Sequence, residues 1–210
     1  KFVEKISSFN KSKLKTVEYI SKSRTPYLPY SCIILDEIMR VTNPKNIICS
    51  ISGLREGSLS IDYFKDVKDS EIFHKALENV AKKRGDLGSN YKKYYDFIQP
   101  VFEGNEHFNK KLLYLSCVLS HMDWGLGAFQ KAELVFQETI NTPLLRLTHK
   151  ERIQLALSCY WRYCSIKYNP KMEYLTFLNN NEIFSSKQVG AALRFSQSLT
   201  SISTIFLEEF

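Results

Sequence analysis

Histidines, carboxylates and cysteines are the residues here whose chemistry depends most on spacing. His121 and Asp123 lie two apart in LSHMDW. On a helix that spacing turns their side chains about 200° from each other, so the pair cannot converge on one cation. His74, His107 and His149 stand on separate segments. Five cysteines (Cys32, Cys49, Cys117, Cys159 and Cys164) sit in apolar runs such as SCIIL, IICSI and LSCVL, and none forms a CxxC pair. Zinc ribbons and thioredoxin-like redox motifs are therefore disfavoured, and all five read as reduced core thiols of a cytoplasmic protein.

Phosphate chemistry would need a glycine-rich cradle after a strand, and the eight glycines are dispersed. Gly53-Leu54-Arg55-Glu56-Gly57 is the one glycine-bracketed turn, with Arg55 and Glu56 expected to pair across it. Lysine and arginine outnumber aspartate and glutamate by 29 to 22, a net charge of +7. Such a surplus favours polyanionic partners without separating nucleic acid, polyphosphate and anionic membrane. A basic surface kept for solubility is the competing explanation. The cluster Lys82-Lys83-Arg84, with Lys92 and Lys93 nearby, reads as a solvated face or as a track for a long polyanion. Tyr160, Trp161 and Tyr163 in YWRYCSIKY read as core and interface, and stack on bases only if exposed.

The elements that must position these residues fall into two stretches. In the first, KFVEKISSF puts Phe2, Val3, Ile6 and Phe9 on one helical face, and Ser12 is expected to cap a second short helix carrying Leu14, Val17 and Ile20. Two prolines in KSRTPYLP lead into YSCIILDEIMRV, an amphipathic helix with Ile33, Ile34, Ile38 and Val41 on its apolar side, ended by TNPK. NIICSI is short, β-branched and apolar, and is expected to be a strand central in a sheet. One strand makes no sheet, so it is expected to pair with polypeptide outside this chain. The start at Lys1 rather than methionine carries the same expectation of a longer parent. From about residue 66 the pattern is helical only. Asp69 or Ser70 opens a first helix, and others are expected at about 89–102, 108–121, 128–140, 148–166 and 186–200. Thr148 and Glu151 form a capping box at the start of the fourth of these. No apolar run reaches the roughly 18 residues that would span a bilayer. There is no internal repeat.

Three segments, in order and spacing, resemble the exopolyphosphatase / guanosine pentaphosphate phosphatase family. SKSRTPYLPYSCIILDEIMRV with NPKNIICSISGLREGSL (21–59) is similar to the end of the family's second actin-like domain. ALENVAKKRGDL, YYDFIQPVFEG and KKLLYLSCVLSHMDW (within 76–124) resemble the opening of its helical third domain. THKERIQLALSCYWRY and KQVGAALRFSQSLT (148–163 and 187–200) resemble the later helices. The fold class so implied is mainly α. Residues 1–65 are a partial α/β segment, actin-like or ribonuclease H-like, and residues 66–210 are an all-helical domain like the histidine–aspartate (HD) phosphohydrolases. The HD hallmark, an adjacent His-Asp, is replaced here by Ser120-His121, so no metal ligands are expected and the domain reads as structural.

The resemblance further implies removal of terminal phosphates from inorganic polyphosphate or guanosine pentaphosphate, with Mg²⁺ held by residues outside this chain. Arg24 matches a family arginine that contacts substrate phosphate, a role suited to a guanidinium. Arg55 is the second substrate-binding candidate, and no catalytic residue is assigned. The expected function is substrate-channel and dimerisation surface within a homodimeric enzyme, with no membrane partner and with the chain inactive alone. Two rivals stand beside it: a non-catalytic module binding polyanion or nucleic acid, and a small HD hydrolase with unrecognised ligands.

Overall fold

A computed structural model describes residues 2–17, 20–47, 53–55, 57–58, 75, 77–80, 82, 90–104, 108–121, 125–142, 147–170 and 172–200. The chain divides into two compact units, Lys1–Ser50 and Ile51–Phe210. The boundary expected near residue 65 falls inside the second unit, among residues outside those described. The described residues are mainly helical, with no strand among them. Of the expected strand NIICSI, Asn46 and Ile47 are irregular and Cys49 lies with its neighbours outside the described residues.

In the first unit α1 (Phe2–Ser7) and α2 (Lys11–Leu14) precede a 3-10 turn (Thr25–Tyr27) and α3 (Leu28–Thr42). The cap of α2 is Asn10, not Ser12: Lys13 N–H donates to Asn10 Oδ1 at 2.9 Å, and the Ser12 hydroxyl donates to the same oxygen. An Asx side chain one residue ahead of the helix reaches its orphan amides, whereas Ser12 is already inside it. Pro29 fits the first turn of α3, where its missing N–H costs nothing. Asn43 ends it at φ 43° with its N–H on the Met39 carbonyl, a left-handed cap. Ile6, Leu14 and Cys32 make the buried core of the unit, with Phe9, Val17 and Leu28 packed against it. The apolar side expected for α3 is not covered within its unit: Ile33, Ile34, Ile38 and Val41 are all more than half exposed.

The second unit is built around α7. Its helices are α4 (Tyr91–Ile98), continued by a 3-10 turn Gln99–Phe102, then α5 (Lys110–Leu119), α6 (Ala128–Asn141), α7 (His149–Tyr163), α8 (Met172–Leu175) and α9 (Asn180–Thr200). α5, α6 and α9 all pack on α7, and α4 packs on α5 and α9. The capping box of α7 forms as its sequence predicts: Thr148 Oγ1 accepts from Glu151 N–H, and Glu151 Oε2 accepts from Thr148 N–H at 2.8 Å. α9 begins earlier than the expected residue 186. Asn179 Oδ1 accepts from Glu182 N–H at 2.9 Å while Glu182 Oε2 accepts from Asn179 N–H at 2.7 Å. Asn179 and Glu182 thus cap α9 reciprocally.

Glycine is required where α9 crosses α7. A Cβ on Gly190 would stand 2.6 Å from Trp161 Cβ and 2.8 Å from the Ser158 carbonyl oxygen, both parts of the α7 wall. Trp161 in turn is fully buried and donates its indole N–H to the Tyr168 carbonyl at 2.8 Å, which folds the chain after α7 back onto it.

Candidate functional site

Arg24 ends the short turn before the 3-10 helix, with its backbone N–H on the Ser21 carbonyl. Its side chain is exposed and has no ion pair or hydrogen bond among the described residues, so the guanidinium is presented to solvent. Beside it lies a cavity of about 410 Å³ lined by Leu14, Lys15, Lys22, Thr25 and Pro26. Thr25 is buried and donates its hydroxyl to the Ser21 carbonyl at 3.0 Å, which holds the segment carrying Arg24 against the core. Arg55 belongs to the other unit. Gly57 N–H donates to the Gly53 carbonyl at 3.1 Å, a helical spacing, and Arg55 is exposed like the other described residues of the turn. Its expected partner Glu56 lies outside the described residues.

The polar centre of the helical unit is organised by a residue that spacing did not single out, Arg162. It is 2% exposed. Its Nη1 donates to Ser120 Oγ at 2.6 Å, its Nε donates to Gln197 Oε1 at 3.0 Å, and its Nη2 lies 3.5 Å from His121 Nδ1. A guanidinium only donates, so Nδ1 is the accepting nitrogen in this contact. The rings of Tyr94 and Tyr163 stand 5.6 and 5.5 Å from the guanidinium carbon, offering their negative faces to the charge. Tyr163 also donates to the Ser120 carbonyl at 2.8 Å. Three helices and the end of α5 thus meet on one buried cation with no carboxylate in hydrogen-bond contact among the described residues. The available signal was near-complete burial along α7, which leaves a basic residue in its last turn nowhere to go but inward.

This centre does not fit a divalent metal. Mg²⁺ takes oxygen ligands, chiefly carboxylate and water. Here Ser120 and His121 face a fixed positive charge, which repels a second cation. No group of three histidine, cysteine or carboxylate residues converges among the described residues. Asp123, His74 and His107 lie outside them, and His149 is exposed at the start of α7.

Other sequence candidates are placed as follows. Tyr160 and Trp161 are buried, Tyr160 edge-on to Phe136, so neither is available to stack on a base. Lys82 and Lys92 are exposed and Lys93 is half-buried, whereas Lys83 and Arg84 lie outside the described residues. Arg152, buried, donates to the Thr142 carbonyl at 2.6 Å and so closes the end of α6. Cys32, Cys117, Cys159 and Cys164 are free and buried. Burial pushes the Cys117 thiol well above its ordinary range. A second groove, about 520 Å³, lies between the 3-10 turn after α4 and α9. Phe97, Val101, Ala192 and Phe195 line it beside Gln188 and Ser196, with no charged side chain among its described lining residues. No described helix is long and apolar enough to cross a membrane. No family model matches the chain, and no curated protein is significantly similar to it.

Proposed function

We propose that this chain is the C-terminal portion of an exopolyphosphatase or guanosine pentaphosphate phosphatase. It supplies substrate-contacting and dimerisation surface, while the phosphate-cleaving residues and the Mg²⁺ ligands belong to the rest of the enzyme. The observation that carries the reading is Arg24: an exposed guanidinium without a partner among the described residues, at the position that resembles the family's phosphate-contacting arginine. An unpaired guanidinium keeps its full donor fork for a phosphate oxygen pair. The helical unit supports the same division of labour, because a buried arginine holds its polar centre where a hydrolase would need a metal. The burial of Tyr160 and Trp161 takes these two rings out of any base-stacking surface.

Arg24→Ala in the complete enzyme is expected to lower kcat/KM for polyphosphate by about tenfold to a hundredfold, the loss of about 1.5–3 kcal/mol of charge-assisted hydrogen bonding. Unchanged kinetics would remove Arg24 from the substrate path. The 210-residue chain with Mg²⁺ and polyphosphate is expected to release no phosphate; steady turnover would return the hydrolase reading.

A further inference from the structure

Two exposed phenylalanines lie on one face of one helix. Phe184 and Phe195 of α9 are 62% and 59% exposed. At about 100° per residue, Phe184, Gln188, Ala191 and Phe195 fall within about 60° of one another around the helix. They lie on the side away from the buried Val189, Gly190 and Leu193. The stripe itself carries no charge. The basic residues on its flank are held by their own chain. The Lys187 ammonium stands 5.2 Å from the centre of the Trp161 ring, and Arg194 Nη1 donates to the Cys164 carbonyl at 3.1 Å. Phe195 is also one wall of the 520 Å³ groove, with Phe97, Val101 and Ala192 around it, whereas Phe184 lies outside that groove. One end of the stripe is therefore a hollow and the other a projecting ring.

The order of the stripe is its own complement. Residues 184, 188, 191 and 195 form an outer and an inner pair with the same midpoint, between Val189 and Gly190. A second α9 turned end for end sets the partner's Phe184 opposite Phe195 and the partner's Ala191 opposite Gln188. Each contact is made twice, which is the reciprocity of a two-fold interface. The small Ala191 near the middle suits the axial separation of about 8–10 Å at which helices pack. A foreign helix would fill the groove, but only a second copy accounts for a ring and a hollow at equal distances from one midpoint. We propose that α9 pairs antiparallel with α9 of a second copy, the partner's Phe184 seated in the groove beside Phe195. The proposal gives a surface to the dimerisation read above and rests on that reading only for there being a dimer. Stripe and groove cover roughly 500 Å² per copy, the low end of specific interfaces, so a dissociation constant of about 1 μM is expected.

The test sediments the 210-residue chain over concentrations from about 0.1 to 100 μM, which bracket that constant. A reversible monomer–dimer equilibrium is expected. Phe195→Glu is expected to weaken it at least about tenfold, because it sets a carboxylate against an aromatic anchor. Phe195 is exposed, so the variant should melt with the parent where both are monomeric. Cysteine pairing reads the register. Chains carrying Phe184→Cys and chains carrying Phe195→Cys, mixed and oxidised in air, are expected to give a disulfide-linked dimer beyond that of the parent. Either variant alone is not, since its two new thiols stand eleven residues, about 16 Å, apart along the paired helices. A chain that stays monomeric overturns the proposal. A dimer indifferent to Phe195→Glu, or one variant cross-linking alone as readily as the mixture, overturns it too and leaves dimerisation to another surface. The kinetics of Arg24→Ala on polyphosphate are decided separately from all of these.

Discussion

Arg162 shows how one side chain can define a domain interior. A buried guanidinium without a carboxylate beside it is costly unless every donor finds an acceptor and its charge finds polarisable neighbours. Ser120, His121 and Gln197 give each of its three nitrogens one partner, and Tyr94 and Tyr163 supply the polarisable neighbours. Arg162→Ala removes the donor and leaves those acceptors buried, so a loss of about 3 kcal/mol of unfolding free energy is expected in denaturant titration. Cys117 gives a second residue-scale expectation. Its folded-state pKa is raised by burial above the ordinary 9.0. Above that value the unfolded thiol loses its proton while the folded one keeps it. The contribution is therefore intact below about pH 9 and declines as pH rises further. Alkylation of Cys117 should stay negligible from pH 7 to 9 in the native protein and become rapid only in denaturant, as mass spectrometry would show.

At the scale of elements, the contact of α9 with α7 is the tightest constraint. Gly190→Ala places a methyl into the Trp161 side chain and the Ser158 carbonyl, neither of which is free to yield. The variant is expected to lose about 1–3 kcal/mol of stability, or several degrees of melting temperature, and a near-ultraviolet signal change from Trp161 should accompany it. A Gly125→Ala control, with nothing within 4 Å of the added atom, should melt as the parent does. The capping box of α7 was legible because both partners lie within four residues of one another in sequence. The cap of α9 is equally local, but Asn179–Asn181 resembles a loop until Asn179 and Glu182 are seen to bond reciprocally. The cap of α2 shows the same limit, since two candidate oxygens lie two residues apart and only backbone geometry chooses Asn10.

For the whole molecule, the distribution of core decides what can fold. Three buried clusters, all drawn from residues 77–193, fill the second unit. Among its described residues the first unit has a single buried cluster of three residues beneath a helix whose apolar side is exposed. Small units bury too little apolar surface to offset their chain entropy. Residues 51–210 produced alone are expected to retain helical circular dichroism and a cooperative melt, and residues 1–50 alone to melt without cooperativity. A cooperative transition in the short fragment would show that its core is larger than these three residues suggest.

Helix positions in the second unit and the capping box follow from periodicity and spacing along the chain. Those properties are local, and a stretch of a few residues contains all the information they need. The inward turn of Arg162, the glycine at the α7–α9 crossing and the cavity beside Arg24 could not be read that way. Each depends on residues far apart in sequence meeting, or on the backbone turning between neighbours, and only packing fixes either. The uncovered face of α3 teaches the same lesson from the other side. Periodicity correctly placed Ile33, Ile34, Ile38 and Val41 together, but whether an apolar stripe is buried depends on what lies opposite, which no helix carries in its own residues.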